Sequence, residues 1–218
     1  MKSGNIIIYF FFSIIFLFTT KVNAQLTDNL YVGIMGGGTF YYGDLPRSVN
    51  GGIAVNLSKE NIHKSFSIRV QLSYGRLSSN YNDGNVNGVV ANFKSQFFEM
   101  ALLPEFSLFD LEQSKITPYV SAGISAARYF DRSGNFSGTP TMPQQFTFNL
   151  PFGGGVKYTL NENIFMKLEY LQRITFSNSI DGINTGNGFD FWGQCMIGVS
   201  FRLHSILPYR KKQYGRLE

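Results

Sequence analysis

The chain has 218 residues, of which 15% are charged, well under the roughly 25% of an ordinary soluble domain. Aromatics reach 16%, with 22 Phe and 12 Tyr, so there is ample material to bury and disorder is excluded. A mean hydropathy of −0.05 excludes a bundle of membrane helices, one Cys excludes a disulfide scaffold or a Cys-rich metal site, and a net charge of +5 is too mild to argue for nucleic acid.

Residues 1–24 read as a secretory signal. Lys2 gives the positive start, Ile6 to Phe18 is apolar apart from Ser13, and Val22, Asn23 and Ala24 form a cleavage site before Gln25. The apolar run is too short for the roughly 20 residues of a spanning helix. No Cys follows it, which argues against a lipoprotein. Losing Lys2 and Lys21 lowers the net charge from +5 to +3.

After Gln25 the dominant period is two. Phe66, Ile68, Val70, Leu72 and Tyr74 alternate with Ser67, Arg69, Gln71, Ser73 and Gly75. Met166, Leu168 and Tyr170 alternate with Lys167 and Glu169, and Val199, Phe201 and Leu203 with Ser200 and Arg202. The pattern predicts eight strands, near 30–40, 52–58, 65–77, 92–109, 116–129, 146–160, 164–174 and 191–203. The second, fourth and sixth end in short connections: Lys59–Lys64, Asp110–Lys115 and Asn161–Asn163. The odd-numbered strands end in longer ones: Tyr41–Gly51, Ser78–Ala91, Asp131–Gln145 and Thr175–Asp190. Long connections then share one end, as in transmembrane barrels with short periplasmic turns and long external loops. The expected fold is all-β: an eight-stranded antiparallel up-and-down transmembrane barrel over 25–204, followed by a basic periplasmic tail over 205–218.

The charged residues within strands are Arg69, Glu99, Glu105, Lys157, Lys167, Glu169, Arg173 and Arg202, all opposite the apolar positions. A basic residue facing lipid near midplane costs about 2–4 kcal/mol, so in a membrane these point inward as a lumen charge network. A soluble lipocalin-like barrel would have the inverse arrangement, and alternation alone does not choose between them. Three features favour the membrane. Tyr31, Tyr42, Tyr74, Tyr119, Tyr129, Tyr158 and Tyr170 lie in or near strand ends, several as candidates for aromatic girdles. The face opposite the apolar one is rich in Gly, Ser and Asn, and the last strand resembles the closing strands of outer-membrane proteins. Eight strands leave an interior just filled by side chains, with no wide pore.

Catalytic chemistry is sparse. Lipid-modifying barrels need a nucleophile or base near the external rim. His63 sits in a short turn and His204 after the last strand, both at the periplasmic end. Gly36–Gly38 and Gly153–Gly155 have no following helix or Lys-Ser/Thr and are not phosphate loops. Cys195 alternates with Ile197 and Val199 and reads as lipid-facing. Asp44, Asp83, Asp131, Asp181 and Asp190 are scattered over loops and suggest no metal site. Neither catalytic residues nor a cofactor are expected. His63, Lys64, Lys115, Arg210, Lys211 and Lys212, in the short turns and the tail, are the candidate partner contacts.

Three stretches resemble the PorG-like barrel family of Bacteroidetes. They are Tyr31–Leu45 (YVGIMGGGTFYYGDL), Pro104–Phe106 with Thr117–Gly123 (TPYVSAG), and Pro151–Tyr158 (PFGGGVKY) with Lys167–Tyr170 (KLEY) and Arg173–Phe176 (RITF). Ser177–Ile183 (SNSIDGI) keeps only part of the family's Asp-Tyr-x-Asp run. The resemblance implies an outer-membrane component of the type IX secretion system, non-enzymatic, that anchors or assembles a periplasmic ring of a lipoprotein and its partner. The alternatives are a stand-alone surface barrel whose long loops bind ligands or surfaces, and a lipid-modifying enzyme.

Overall fold

In the computed structural model the described residues are 29–42, 48–63, 65–81, 91–109, 111, 114–134, 145–176 and 190–203. They form one antiparallel sheet of nine hydrogen-bonded segments. These are β1 (Leu30–Tyr42), β2 (Val49–His63), β3 (Phe66–Tyr81), β4 (Ala91–Ser107), β5 (Ile116–Ala122), β6 (Ile124–Gly134), β7 (Gln145–Asn161), β8 (Ile164–Thr175) and β9 (Asp190–Arg202). Each pairs with its neighbours, and β1 pairs with β9, so the sheet closes on itself and has no free edge. β5 and β6 both lie between β4 and β7. They are one stave broken at Gly123, and the ring has eight staves, as the sequence predicts.

The break has a local cause. Glu105 of β4 pairs with Ser121 while Leu102 pairs with Ile124, so Pro104 stands beside the gap. Pro151 of β7 flanks it on the other side, between the Phe152–Ala122 and Asn149–Ser125 pairs. Two prolines remove an N–H from each neighbouring strand where the ladder would continue. Gly123 N–H instead donates to Pro151 C=O at 2.9 Å, and Ser121 Oγ donates to Pro104 C=O at 3.0 Å. A Cβ at Gly123 would run into the Leu102 carbonyl, so no larger residue fits there.

Burial follows the period of two and settles which face is which. Ile34, Ile53, Val120, Ile124, Phe148 and Leu168 are all more than half exposed on the outer wall. Arg69, Glu99, Glu105, Lys157 and Arg173 are fully buried inside. A soluble barrel requires the reverse, because exposed apolar bands and buried charges are both unfavourable in water. An apolar outside around a polar inside is the transmembrane arrangement. Cys195 is exposed on that outer wall.

Three expectations need adjustment. β2 does not stop at residue 58: it runs to His63 through a bulge between Lys59 and His63, with Asn61 at φ 49°. The stretch from Lys59 is therefore mostly strand rather than turn. Of the candidate girdle tyrosines, Tyr31, Tyr119 and Tyr129 point into the lumen, whereas Tyr74, Tyr158 and Tyr170 face outward and Tyr42 is half-buried. Asp190 is the first residue of β9, buried, and accepts a hydrogen bond from Tyr41 Oη at 3.3 Å. The long connections lie almost entirely outside the described residues.

Candidate functional site

The lumen is filled in layers, each set by which inward positions of neighbouring strands share a height. At the end that carries the short turns, Tyr31, Leu111 and Phe165 form a buried apolar cluster. Leu111, from the β4–β5 connection, is buried at this mouth. Thr159 Oγ1 donates to Leu111 C=O at 3.3 Å and holds it there. The rings of Tyr31 and Phe165 are 5.0 Å apart.

Above this cap lies the main ionic layer. Glu105 is its centre. It meets Arg69 Nε at 2.8 Å, Lys157 Nζ at 2.7 Å and Lys167 Nζ at 2.9 Å. Lys157 also contacts Glu60 Oε2 at 2.6 Å, and Arg69 pairs with Glu169. Tyr119 Oη donates to Glu169 Oε2 at 2.6 Å, and its ring lies 4.8 Å from Lys167 Nζ. Three carboxylates thus face three cations with nearly complete burial. Ser67 Oγ donates to the same Glu60 Oε2 at 2.9 Å.

Ala101, Leu103 and Leu171 separate this layer from a second one. Arg173 Nη2 donates to Glu99 Oε2 at 2.9 Å and to Gln194 Oε1 at 2.5 Å. Ser125 Oγ donates to Glu99 Oε1 at 2.7 Å. The Arg173 guanidinium stacks over Trp192, 4.3 Å from the ring centre, and Trp192 packs on Phe97 at 4.5 Å. Phe97 continues to Tyr129. The upper lumen is therefore closed by aromatics.

Among the eight charged positions expected in the lumen, Arg69, Glu105, Lys157, Lys167 and Glu169 meet in the lower layer, and Glu99 and Arg173 in the upper one. Arg202 stands apart, half-buried at the mouth, bonded to Asn29 and 5.7 Å from the Tyr31 ring centre. Glu60 belongs to the network although sequence reasoning placed it in a turn. It shares the inward parity of Ala54, Asn56 and Ser58, so continuing that alternation by two residues would have found it. With it, four carboxylates balance four cations in the two layers. Arg132 is also buried, because the bulge at Asp131 (φ 47°) reverses the parity of the residues beyond it.

His63 is exposed at the end of β2, and Lys115 is exposed just before β5. Lys115 borders a cavity of about 430 Å³ at the mouth, also lined by Tyr31, Glu60, Glu162, Phe165 and Arg202. Lys64, Arg210, Lys211, Lys212 and His204 lie outside the described residues, as do Asp44, Asp83 and Asp181. Among the described residues no group of three or more His, Cys, Asp or Glu is placed to hold a metal ion.

The closed ring, the apolar outer wall and the charge-filled lumen define an eight-stranded outer-membrane β-barrel. The model of a family described as a domain of unknown function, DUF6089, matches residues 7–191, and the chain belongs to that family. No curated protein matches it in sequence. Among solved structures it is similar to Neisserial surface protein A, with 18% identity and a TM-score of 0.53, over 80% of this chain and 97% of that one. It is also similar to Ail, the attachment invasion locus protein of Yersinia pestis, with 11% identity and a TM-score of 0.50, over 79% of this chain and 96% of that one. These likenesses are of fold. The closed ring with its apolar outer wall is that of an outer-membrane protein, in which the short turns lie at the periplasmic side.

Proposed function

We propose that this barrel is a non-enzymatic, non-conducting anchor of the outer membrane, whose periplasmic end holds a periplasmic assembly. The observation that carries the reading is the sealed lumen: two neutral ionic layers, an aromatic layer and the Leu111 cap leave little room for transport. A barrel that neither conducts nor presents a reactive constellation among its described residues offers its ends to partners. The resemblance to PorG-like barrels makes the partner the ring lipoprotein of type IX secretion and its companion. On this reading residues 1–24 are removed on export, and 205–218 are a basic periplasmic tail. His63 and Lys115 then stand at the periplasmic end, and Lys64, Arg210, Lys211 and Lys212 are the further proposed contacts.

The test is site-specific photo-crosslinking in intact cells. A photoreactive residue at His63 or Lys115 is expected to capture the ring lipoprotein or its partner, while the same residue at Val49, at the opposite end of β2, captures neither. Absence of both from every periplasmic position, in cells with an intact ring, would overturn the secretion role. Interest would then move to what the external loops bind.

A further inference from the structure

The cavity of about 430 Å³ at the periplasmic mouth combines an apolar lining with a buried carboxylate. Its apolar side is the cluster of Tyr31, Leu111 and Phe165. Glu60 also lines it and is only 1% exposed. Glu60 Oε2 is met by Lys157 Nζ at 2.6 Å and Ser67 Oγ at 2.9 Å. Glu60 Oε1 is buried and, among the described residues, has no hydrogen-bond partner. A buried carboxylate oxygen without a donor is unfavourable. The cavity therefore suits an occupant that is apolar over most of its surface and brings one N–H or O–H.

Both ends of the barrel chain border this cavity: Asn29, just before β1, and Arg202, the last residue of β9. Leu203 has already left the sheet. The sequence that runs on from it carries Ile206, Leu207, Pro208 and Tyr209 before it turns basic at Arg210, Lys211 and Lys212. A segment meant only for solvent is poor in such side chains. Reach is no obstacle, because the seven steps from Arg202 to Tyr209 span up to about 23 Å and start at the cavity itself. Pro208 fixes one φ and favours a turn within the segment. The residues before Asn29 are a poorer match. Between Gln25 and Asp28 the apolar side chain is Leu26, and Asp28 would bring a second carboxylate to Glu60.

We propose that the chain's own segment Ile206–Tyr209 folds back into this cavity as a plug, with its apolar side chains against Leu111 and Phe165 and the Tyr209 hydroxyl donating to Glu60 Oε1. Tyr suits the place because its ring is apolar and its hydroxyl needs a partner when buried. The seated plug keeps water from the Glu60–Lys157 pair and leads Arg210, Lys211 and Lys212 out at the mouth. It is a property of the single chain and needs no periplasmic partner, so it stands apart from the anchoring role.

The test uses the purified full chain, folded in detergent, in a Cys195→Ala background. Leu111→Cys places a thiol beneath the plug, and its labelling by a charged maleimide is timed. Ending the chain after His204 is expected to speed labelling about tenfold, and I206S/L207S/Y209S to do the same at full length. R210A/K211A/K212A is expected to stay within about threefold of the parent. Tyr209→Phe, which keeps the ring and loses the hydroxyl, is expected to speed labelling about threefold. Equal rates with and without residues 205–218 would overturn the proposal and assign the apolar segment to the membrane surface. A rate that varies with protein concentration would assign the plug to a second copy and equally overturn it. Should Leu111→Cys fail to fold, hydrogen exchange of the unaltered chain supplies the reading. Amides of Ile206–Tyr209 are expected to exchange about tenfold more slowly than those of Gln213–Glu218, and equal exchange would overturn the plug.

Discussion

The two halves of the lumen are closed by different physics. The periplasmic half is held by a layer in which Glu105 alone meets three cations. The external half has the Arg173–Glu99 pair under a stack of Trp192, Phe97 and Tyr129. In the lower layer one carboxylate, Glu105, is shared by three cations, so its deletion touches all of them at once. In the upper layer the aromatic area and the guanidinium stack share the load. Directional charge fixes which strands meet, whereas aromatic packing fills whatever height remains.

This contrast is open to direct attack. Glu105→Ala is expected to have the largest effect, about 3–5 kcal/mol, because it removes the one carboxylate shared by the buried Arg69, Lys157 and Lys167. Urea unfolding followed by heat-modifiable migration reads it, and Glu105→Gln should lose less. Trp192→Ala should cost about 3 kcal/mol through lost packing on Phe97 and Arg173. A double-mutant cycle sharpens the point. Trp192→Ala should couple to Glu99→Ala through their shared partner Arg173, and should add to Glu105→Ala within about 0.5 kcal/mol. Leu111→Ala should cost about 2 kcal/mol and loosen only the periplasmic mouth. Single-channel recordings are expected to stay silent for the parent and for this variant, since the ionic layer behind the cap remains. The smallest effect is at Cys195. Its substitution by Ala should leave stability within about 0.5 kcal/mol, and a membrane-permeant maleimide should label it where a charged, impermeant one does not.

Much of this architecture is legible in the chain. Strand parity separates Phe66, Ile68 and Val70 from Ser67, Arg69 and Gln71 without ambiguity, and the short and long connections give the up-and-down order. What parity leaves open is the sign of the two faces, which the burial of Arg69, Glu99 and Glu105 and the exposure of Ile34 and Ile53 settle. Glu60 escapes because Lys59, Glu60 and Asn61 have the composition of a turn, and only the bulge at Asn61 keeps them in the sheet. Leu111 escapes because one apolar residue in a polar connection carries no periodic signal. The interruption at Gly123 escapes for a different reason. It depends on Pro104 and Pro151, far apart in sequence, standing on either side of one glycine. The girdle tyrosines show the limit of reading residue type alone, since parity already separates Tyr74 from Tyr119 and Tyr129.

The distribution of charge around the ring bears on how the barrel is built. Glu60 is on β2, Arg69 on β3, Glu99 and Glu105 on β4, Lys157 on β7, and Lys167, Glu169 and Arg173 on β8. Among the described residues none of these ion pairs crosses the junction of β1 and β9, where Met35, Ala54 and Met196 cluster and Gly37 lies against the Cys195 carbonyl. That junction is a seam. During insertion a curled sheet from β2 to β8 can neutralise its own charges before the first and last strands meet. Fastening the seam then asks chiefly for backbone hydrogen bonds along a ladder whose middle carries Gly36, Gly37, Gly38, Gly193 and Gly198, so the final step of assembly need not break the ion pairs of the lumen.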